Sequence, residues 1–398
     1  MADRVLIVEP YTTGHRGVWL KWMAEGLAAR GWSVVISTLR ESADHPTIRE
    51  LSVATPAAEL VANMSTSSAS TYISKGALRR EFAYRALLKS MYQQAIATRP
   101  HVVLVPYVDY CLHSIGLLGS PFEETPWTSI TLRPSFHYEN CGVLAPTPRF
   151  PKLREAAFAH LLRDKKLRAC ITIDQPLFDY WRQHHPTSRK LAYMPDPIAP
   201  IATPDKTGAL KRFGLDGKKT IILLFGRIGN RKGLGHLLAA VQELAGSHPV
   251  CALLVGEQDD HAVRQLRSAS ASKLRATGNL VEFNGWVDDE ITAAAFATSD
   301  IVWLGYENHW QSSGVQIQAA MTGKPVASTR QGIIGWQTVR NQCGVTFDIF
   351  DPTSIRQALA ELISSAQLRQ QLGANGRRYA SLHTIENAVR LLDSRLRC

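Results

Sequence analysis

The chain has 398 residues, 45% hydrophobic and 20% charged, with a formal net charge of +11. That length is more than one ordinary core organises and predicts two domains, and the composition is that of a globular chain rather than a disordered one. Six scattered cysteines without a C-x-x-C pair, a start without a signal-peptide pattern and no apolar run near the roughly 20 residues of a membrane span predict a reduced, cytoplasmic protein.

In chain order, residues 4–8 (RVLIV) read as a buried strand and 9–16 (EPYTTGHR) as a loop. Residues 17–30 read as a helix, with Val18, Leu20, Met23 and Leu27 at helical spacing and Gly31 closing it. Residues 32–38 give a second strand, completing a Rossmann-like β-loop-α-β opening that predicts a mainly parallel sheet. Residues 41–74 show no clear period. The pattern then predicts a helix over 75–98, strands at 101–106 and 128–132 around a helical stretch at 110–118, and a loop over 133–151. A second helix, a strand at 169–173, a helix at 175–184 and a strand at 190–194 follow.

The positive charge concentrates in two segments. Between Lys75 and Arg99 there are six basic residues against Glu81 alone, and between Arg149 and Arg168 seven against Glu155 and Asp164. Two solvated helix faces account for this. So does a basic surface that meets anionic lipid headgroups or an anionic acceptor. No aromatic-and-basic motif accompanies the charge, so nucleic acid is not an expected partner.

Four prolines between Pro195 and Pro204 mark a linker. The expected domains are therefore 1–198 and 199–378, with a C-terminal helix over 379–398 packing back on the first. After the linker, strands are predicted at 220–225, 250–255, 280–283, 301–304 and 325–328. Helices are expected at 234–245, 262–276, 289–298 and 315–322, with helices to the C-terminus. Two such α/β domains predict a ligand cleft.

The most informative stretch is Thr220-Ile-Ile-Leu-Leu-Phe-Gly226-Arg227-Ile-Gly-Asn-Arg231-Lys232-Gly233. It is a buried strand, a tight loop and a helix start, with cations at the loop mouth. Arg is a permanently charged fork that suits phosphate oxygens, and Lys adds a point charge, so the loop predicts an anion site.

This run resembles the G-R-x-x-x-x-K-G signature of glycosyltransferase family 4 and its relatives with the GT-B fold. Leu253-Leu-Val-Gly256-Glu257, Val281-Glu-Phe-Asn-Gly285-Trp-Val, Phe296-Ala-Thr-Ser-Asp300-Ile-Val and Ala319-Ala-Met-Thr-Gly323-Lys-Pro325-Val326 resemble further motifs of that family, in order. The resemblance implies an α/β chain of two Rossmann-like domains whose parallel sheets face a cleft. The second domain would bind a nucleotide diphosphate sugar, and the first a sugar, lipid-linked or small-molecule acceptor. Arg227 and Lys232 would hold the donor diphosphate, with Gly226, Gly256 and Gly285 beside the donor. Retention of configuration is implied too. No D-x-D motif or His/Cys/Asp cluster is present, so neither metal nor cofactor is expected.

One departure is plain: the family's two glutamates are replaced by Trp310 and Gln318, and the second normally contacts the donor ribose. Between them, Ser312, Ser313, Gly314 and Val315 open a helix whose free N–H groups form either a second phosphate cradle or a simple cap. Glu307 could meet a sugar hydroxyl or solvent. Gly14-His15-Arg16-Gly17 resembles the family's first loop, facing donor phosphates and acceptor. In much of the family a histidine follows the strand at 128–132. Here Arg133 stands near that position and His137 lies four residues on, both as sugar or phosphate contacts. Asp109, after the strand at 101–106, would bind or deprotonate the acceptor hydroxyl, or cap a helix.

The resulting expectation is a glycosyltransferase, with a role in polysaccharide or glycolipid synthesis on the inner face of a membrane suggested by the basic helices. A nucleotide-sugar epimerase or phosphorylase of the same fold, and a non-catalytic nucleotide-sugar-binding protein, remain alternatives.

Overall fold

The computed structural model describes residues 3–54, 58–65 and 77–398. The chain divides into two units, one of residues 1–141, 147–197 and 385–398 and the other of 142–146 and 198–384.

In the first unit the strands are β1 (Arg4–Val8), β2 (Ser33–Leu39), β3 (Glu59–Met64), β4 (Val102–Val105), β5 (Trp127–Thr131), β6 (Leu167–Thr172) and β7 (Leu191–Tyr193). They form one parallel sheet in the order β3-β2-β1-β4-β5-β6-β7. The second unit carries β8 (Thr220–Phe225), β9 (Val250–Val255), β10 (Leu280–Phe283), β11 (Ile301–Leu304), β12 (Val326–Thr329) and β13 (Gly344–Phe347). Their order is β10-β9-β8-β11-β12-β13, again parallel.

Helices cover both faces of each sheet, which is why the central strands are apolar throughout. Along β8, Ile222 and Leu224 enter one core while Ile221, Leu223 and Phe225 enter the other. The first unit is built alike, with Leu6 and Val8 of β1 in one core and Val5 and Ile7 in the other.

Several expected elements differ. Residues 41–74 contain the short helices Arg40–Ala43 and Pro46–Ala54 and the edge strand β3, whose exposed and half-buried positions give no apolar run; 66–74 lie outside the described residues. The helix expected from 75 is described over Ala77–Ala95, and 75–76 lie outside the described residues. The helix expected over 262–276 is two, Asp260–Leu266 and Ala269–Ala276, because the Ser268 hydroxyl accepts from Ala271 N at 3.2 Å and starts a new one. Strand β13 stands where helices to the C-terminus are expected; three of its four positions are only half-buried.

The break expected at 378 falls inside helix Ala366–Ala380, which stays in the second unit, where Gly373 passes against Gly323 and Gly376 against Ala320. Helix Ile385–Arg397 is the part that belongs to the first unit. Its Val389 fills the space Gly26 leaves, and Trp32 Nε1 donates to Asp393 Oδ1 at 2.7 Å. Among the described residues, no helix is long and apolar enough to cross a membrane.

Candidate functional site

In the second sheet β8 has β9 on one side and β11 on the other, so strand order reverses between β8 and β11. Open parallel sheets bind ligands at such a switch point, beyond the carboxyl ends of the strands. The loops arriving there are residues 226–233 and 305–313. Gly233 takes φ +62°, and a Cβ on it would strike the Gly305 carbonyl, so only glycine lets these two loops pass. On the other flank Gly256, at φ +139°, passes equally close to the Gly226 carbonyl.

Lys232 is buried at this crossing. Its Nζ donates to the Phe225 carbonyl and lies 5.8 Å from the centre of the Tyr306 ring, and its own carbonyl accepts from Trp303 Nε1 at 2.9 Å. Burial pushes its pKa down to about 7, and neighbouring Arg231 adds to the push. No carboxylate pairs with it among the described residues. Arg227 is exposed and likewise has no hydrogen bond or ion pair among the described residues. An ammonium held in the protein interior without a counter-charge is costly, and an anion at the loop mouth would relieve that cost.

Helix Gly314–Met321 opens beside them. Ser313 precedes it, but its hydroxyl donates to Tyr306 Oη at 3.4 Å instead of capping the helix. The first N–H groups, at Gly314 and Val315, therefore have no intrahelical acceptor and no side-chain cap. The Ser312 carbonyl accepts from His309 Nε2 at 3.2 Å. Half-buried Gln318 has no side-chain hydrogen bond among the described residues, and Trp310 backs onto Gly332. Glu307 pairs with His236 at 3.4 Å, with both groups partly exposed. Gly285 follows β10 next to the Phe283 ring.

The first sheet reverses between β1 and β4, and its switch point is built differently. Glu9, just past β1, is 1% exposed and accepts from Arg16 Nη1 at 3.2 Å and Tyr11 N at 3.1 Å. Burial raises its pKa to about 7 against the pull of Arg16. The Arg16 guanidinium also lies 5.2, 5.2 and 4.7 Å from the ring centres of Tyr11, Tyr107 and Tyr110. Arg16, expected to face acceptor or phosphate, is thus held by protein groups. Gly14 turns the chain at φ +61° before helix His15–Ala28, and the His15 side chain lies outside the described residues.

Two expected contacts are corrected. Asp109 caps no helix: its carboxylate accepts from Thr131 Oγ1 (2.7 Å), Leu132 N (2.9 Å) and Arg133 N (2.9 Å) and so pins the loop after β5. Burial raises its pKa, and these bonds oppose the rise. His137 is wholly buried, with Nε2 3.3 Å from Asp174 Oδ1 between the rings of Phe136 and Tyr138, out of reach of any substrate. Arg133 is exposed, its guanidinium 4.9 Å from the centre of the Tyr110 ring.

Sequence reasoning missed Glu9 and a paired Glu81 and His113, 2.7 Å apart beside Arg133. Glu81 carried a signal, as the lone acid in its basic segment; nothing local marked Glu9.

Residues 219–365 match the glycosyl transferases group 1 family. No curated protein matches the chain. Among solved structures, sucrose-phosphate synthase from Thermosynechococcus elongatus is 15% identical with a TM-score of 0.69, over 99% of this chain and 98% of that one. Anabaena HepE in complex with UDP and glucose is 14% identical with a TM-score of 0.67, over 99% of each chain. WaaG, a glycosyltransferase involved in lipopolysaccharide biosynthesis, is 17% identical with a TM-score of 0.62, over 98% of this chain and 99% of that one. Residues 219–365 therefore form a glycosyl transferases group 1 domain within a chain of the GT-B fold.

Proposed function

We propose that the chain moves a sugar from a nucleotide diphosphate sugar to an acceptor hydroxyl, the second unit holding the donor and the first the acceptor. The observation that carries this reading is the pair of cations, Arg227 and Lys232, without carboxylate partners among the described residues at the switch point of the second sheet. Breaking the bond between sugar and diphosphate develops negative charge on the leaving group. Arg227, Lys232 and the free N–H groups at Gly314 and Val315 supply preorganised positive charge for it, and no metal or cofactor is proposed. Gln318 would hydrogen-bond a ribose hydroxyl as a neutral partner. Retention of configuration is proposed on the resemblance of the motifs, and HepE, solved with UDP and glucose, supports a uridine donor.

A thermal-shift screen of nucleotide sugars, followed by product analysis with and without acceptor, tests the reading. A stabilising nucleotide sugar that is consumed only with an acceptor is the expected result. Consumption without acceptor would point to an epimerase, dependence on inorganic phosphate to a phosphorylase, and binding without turnover to a binding protein.

A membrane-surface role has its own support. Phe150 and Leu153 are 73% and 68% exposed beside the exposed Arg149, Lys152 and Arg154, which suits a surface of anionic lipid. Flotation with anionic but not neutral liposomes at low salt is expected.

A further inference from the structure

The first unit contains a pocket of about 190 Å³ lined by Glu81, Asp109, His113, Arg133, Ser135 and Arg154, among others. Helices Ala77–Ala95, Leu112–Leu118 and Pro151–Arg163 and the loop after β5 contribute to its wall.

Glu81 holds His113 at two points: Oε1 lies 2.7 Å from the ring Nδ1, and Oε2 accepts from the backbone N at 3.0 Å. Nδ1 therefore carries the proton, and Nε2 is left as the lone-pair nitrogen, without a partner among the described residues. A carboxylate behind Nδ1 fixes the tautomer and stabilises the imidazolium that forms when Nε2 takes a proton. Asp109 is used up by the loop it pins, as described above.

The two arginines are in the opposite condition. Arg133 lies over the Tyr110 ring, and Arg154 uses only Nε, on the Arg149 carbonyl at 3.0 Å. Neither guanidinium meets a carboxylate among the described residues. The pocket thus joins an oriented proton acceptor to two unpaired cations.

We propose that this pocket receives the acceptor, that the acceptor is a hydroxyl compound bearing a phosphate or carboxylate held by Arg133 and Arg154, and that its attacking hydroxyl gives its proton to Nε2 of His113. The inference rests on the transferase reading. The acceptor oxygen bonds to the anomeric carbon on the face that the diphosphate leaves, as retention requires. The bond from that carbon to the diphosphate oxygen breaks, its electron pair leaving with the diphosphate. The hydroxyl proton passes to His113 and then to water. Glu81 is a positioning residue. Among the described residues, the charged groups that line the pocket with His113 are Glu81 on helix Ala77–Ala95, Asp109 in the turn before its own helix, Arg133 on the loop after β5 and Arg154 on helix Pro151–Arg163.

Calorimetry on the full chain with inorganic phosphate, glucose 6-phosphate, glucose and UDP tests the binding half. Both phosphate compounds should bind more tightly than glucose. Arg133→Ala with Arg154→Ala, both exposed sites, should weaken them at least tenfold while UDP affinity stays the same. With the donor found in the screen, His113→Gln should lower kcat about a hundredfold with little change in KM. Glu81→Gln should lower kcat with little change in KM. Equal affinity for glucose and its phosphate, or a kcat unaltered in His113→Gln, overturns the proposal while UDP binding leaves the transferase reading standing. If UDP itself does not bind, that reading falls and the proposal falls with it.

Discussion

The two sheets reach their switch points with the same device, a strand and a glycine-bearing loop that brings a cation to its mouth, yet they treat that cation in opposite ways. In the first unit Arg16 meets the buried carboxylate of Glu9 and the faces of three tyrosines. In the second, Lys232 is buried with only a carbonyl and a distant ring for company, and Arg227 reaches solvent alone. A cation with an internal counter-charge is already satisfied and serves the fold. One without it holds unspent electrostatic energy that a ligand can collect. The difference separates two motifs that look alike along the chain.

Arg227→Ala and Lys232→Ala probe the unspent side and carry the largest expected effect. Loss of one preorganised contact to developing charge typically raises the barrier by about 3–4 kcal/mol, so turnover should fall roughly a hundredfold or more. Arg227→Ala should leave the melting temperature unchanged, because no group among the described residues depends on that side chain. Steady-state kinetics beside a melting curve read both quantities, and near-normal turnover in both variants would remove the anion site from the mechanism.

Arg16→Ala probes the satisfied side and should show the reverse pattern. It leaves Glu9 buried without its partner, at a cost of about 2 kcal/mol after allowing for the solvent that reaches Arg16. The pH window follows from Glu9, whose pKa is raised from 4.5 to about 7 in the fold. Above pH 7 the carboxylate is ionised, and losing Arg16 costs most. As pH falls below 7 folded Glu9 takes up a proton, and by about pH 5 it is almost wholly neutral in the fold with or without Arg16, so the electrostatic deficit vanishes. Urea unfolding at pH 8 and pH 5 measures this, with UDP affinity expected to be unaffected. A deficit as large at pH 5 would show that Arg16 acts through packing.

What was legible in the sequence follows the same division between local and distant causes. Strand β8 and its loop could be read because a strand buried on both faces is one apolar run, and the cations that follow need no partner to define them. Strands β3 and β13 could not, being short edges with mostly half-buried or exposed residues. Asp109 and His137 stand out along the chain, but the groups that hold them do not. Their partners, Thr131 and Asp174, lie 22 and 37 residues away, and only the packing of the next strands brings them in. Glu9 is the same case: its importance comes from the tyrosines gathered round Arg16, two of which, Tyr107 and Tyr110, arrive from the stretch after β4.

The smallest effect reads the state of Lys232 directly. Burial first, and Arg231 second, hold its pKa near 7, so in the empty site near pH 8 it is mostly neutral. A bound diphosphate stabilises the ammonium and raises that pKa, which means binding above pH 7 must draw a proton from solution. By linkage, UDP affinity should then fall by up to tenfold per pH unit from about pH 7 upward, until the pKa of the complex is reached. Calorimetry at pH 8 in buffers of different ionisation enthalpy should show up to one proton taken up per UDP bound, and Lys232→Ala should bind weakly with a flat profile and no such uptake. Arg16 cannot produce this behaviour, since its guanidinium stays charged throughout the range. A wild-type affinity that is level between pH 7 and 9 would mean that Lys232 keeps its charge without the ligand, and the contrast between the two loops would then rest on Arg227 alone.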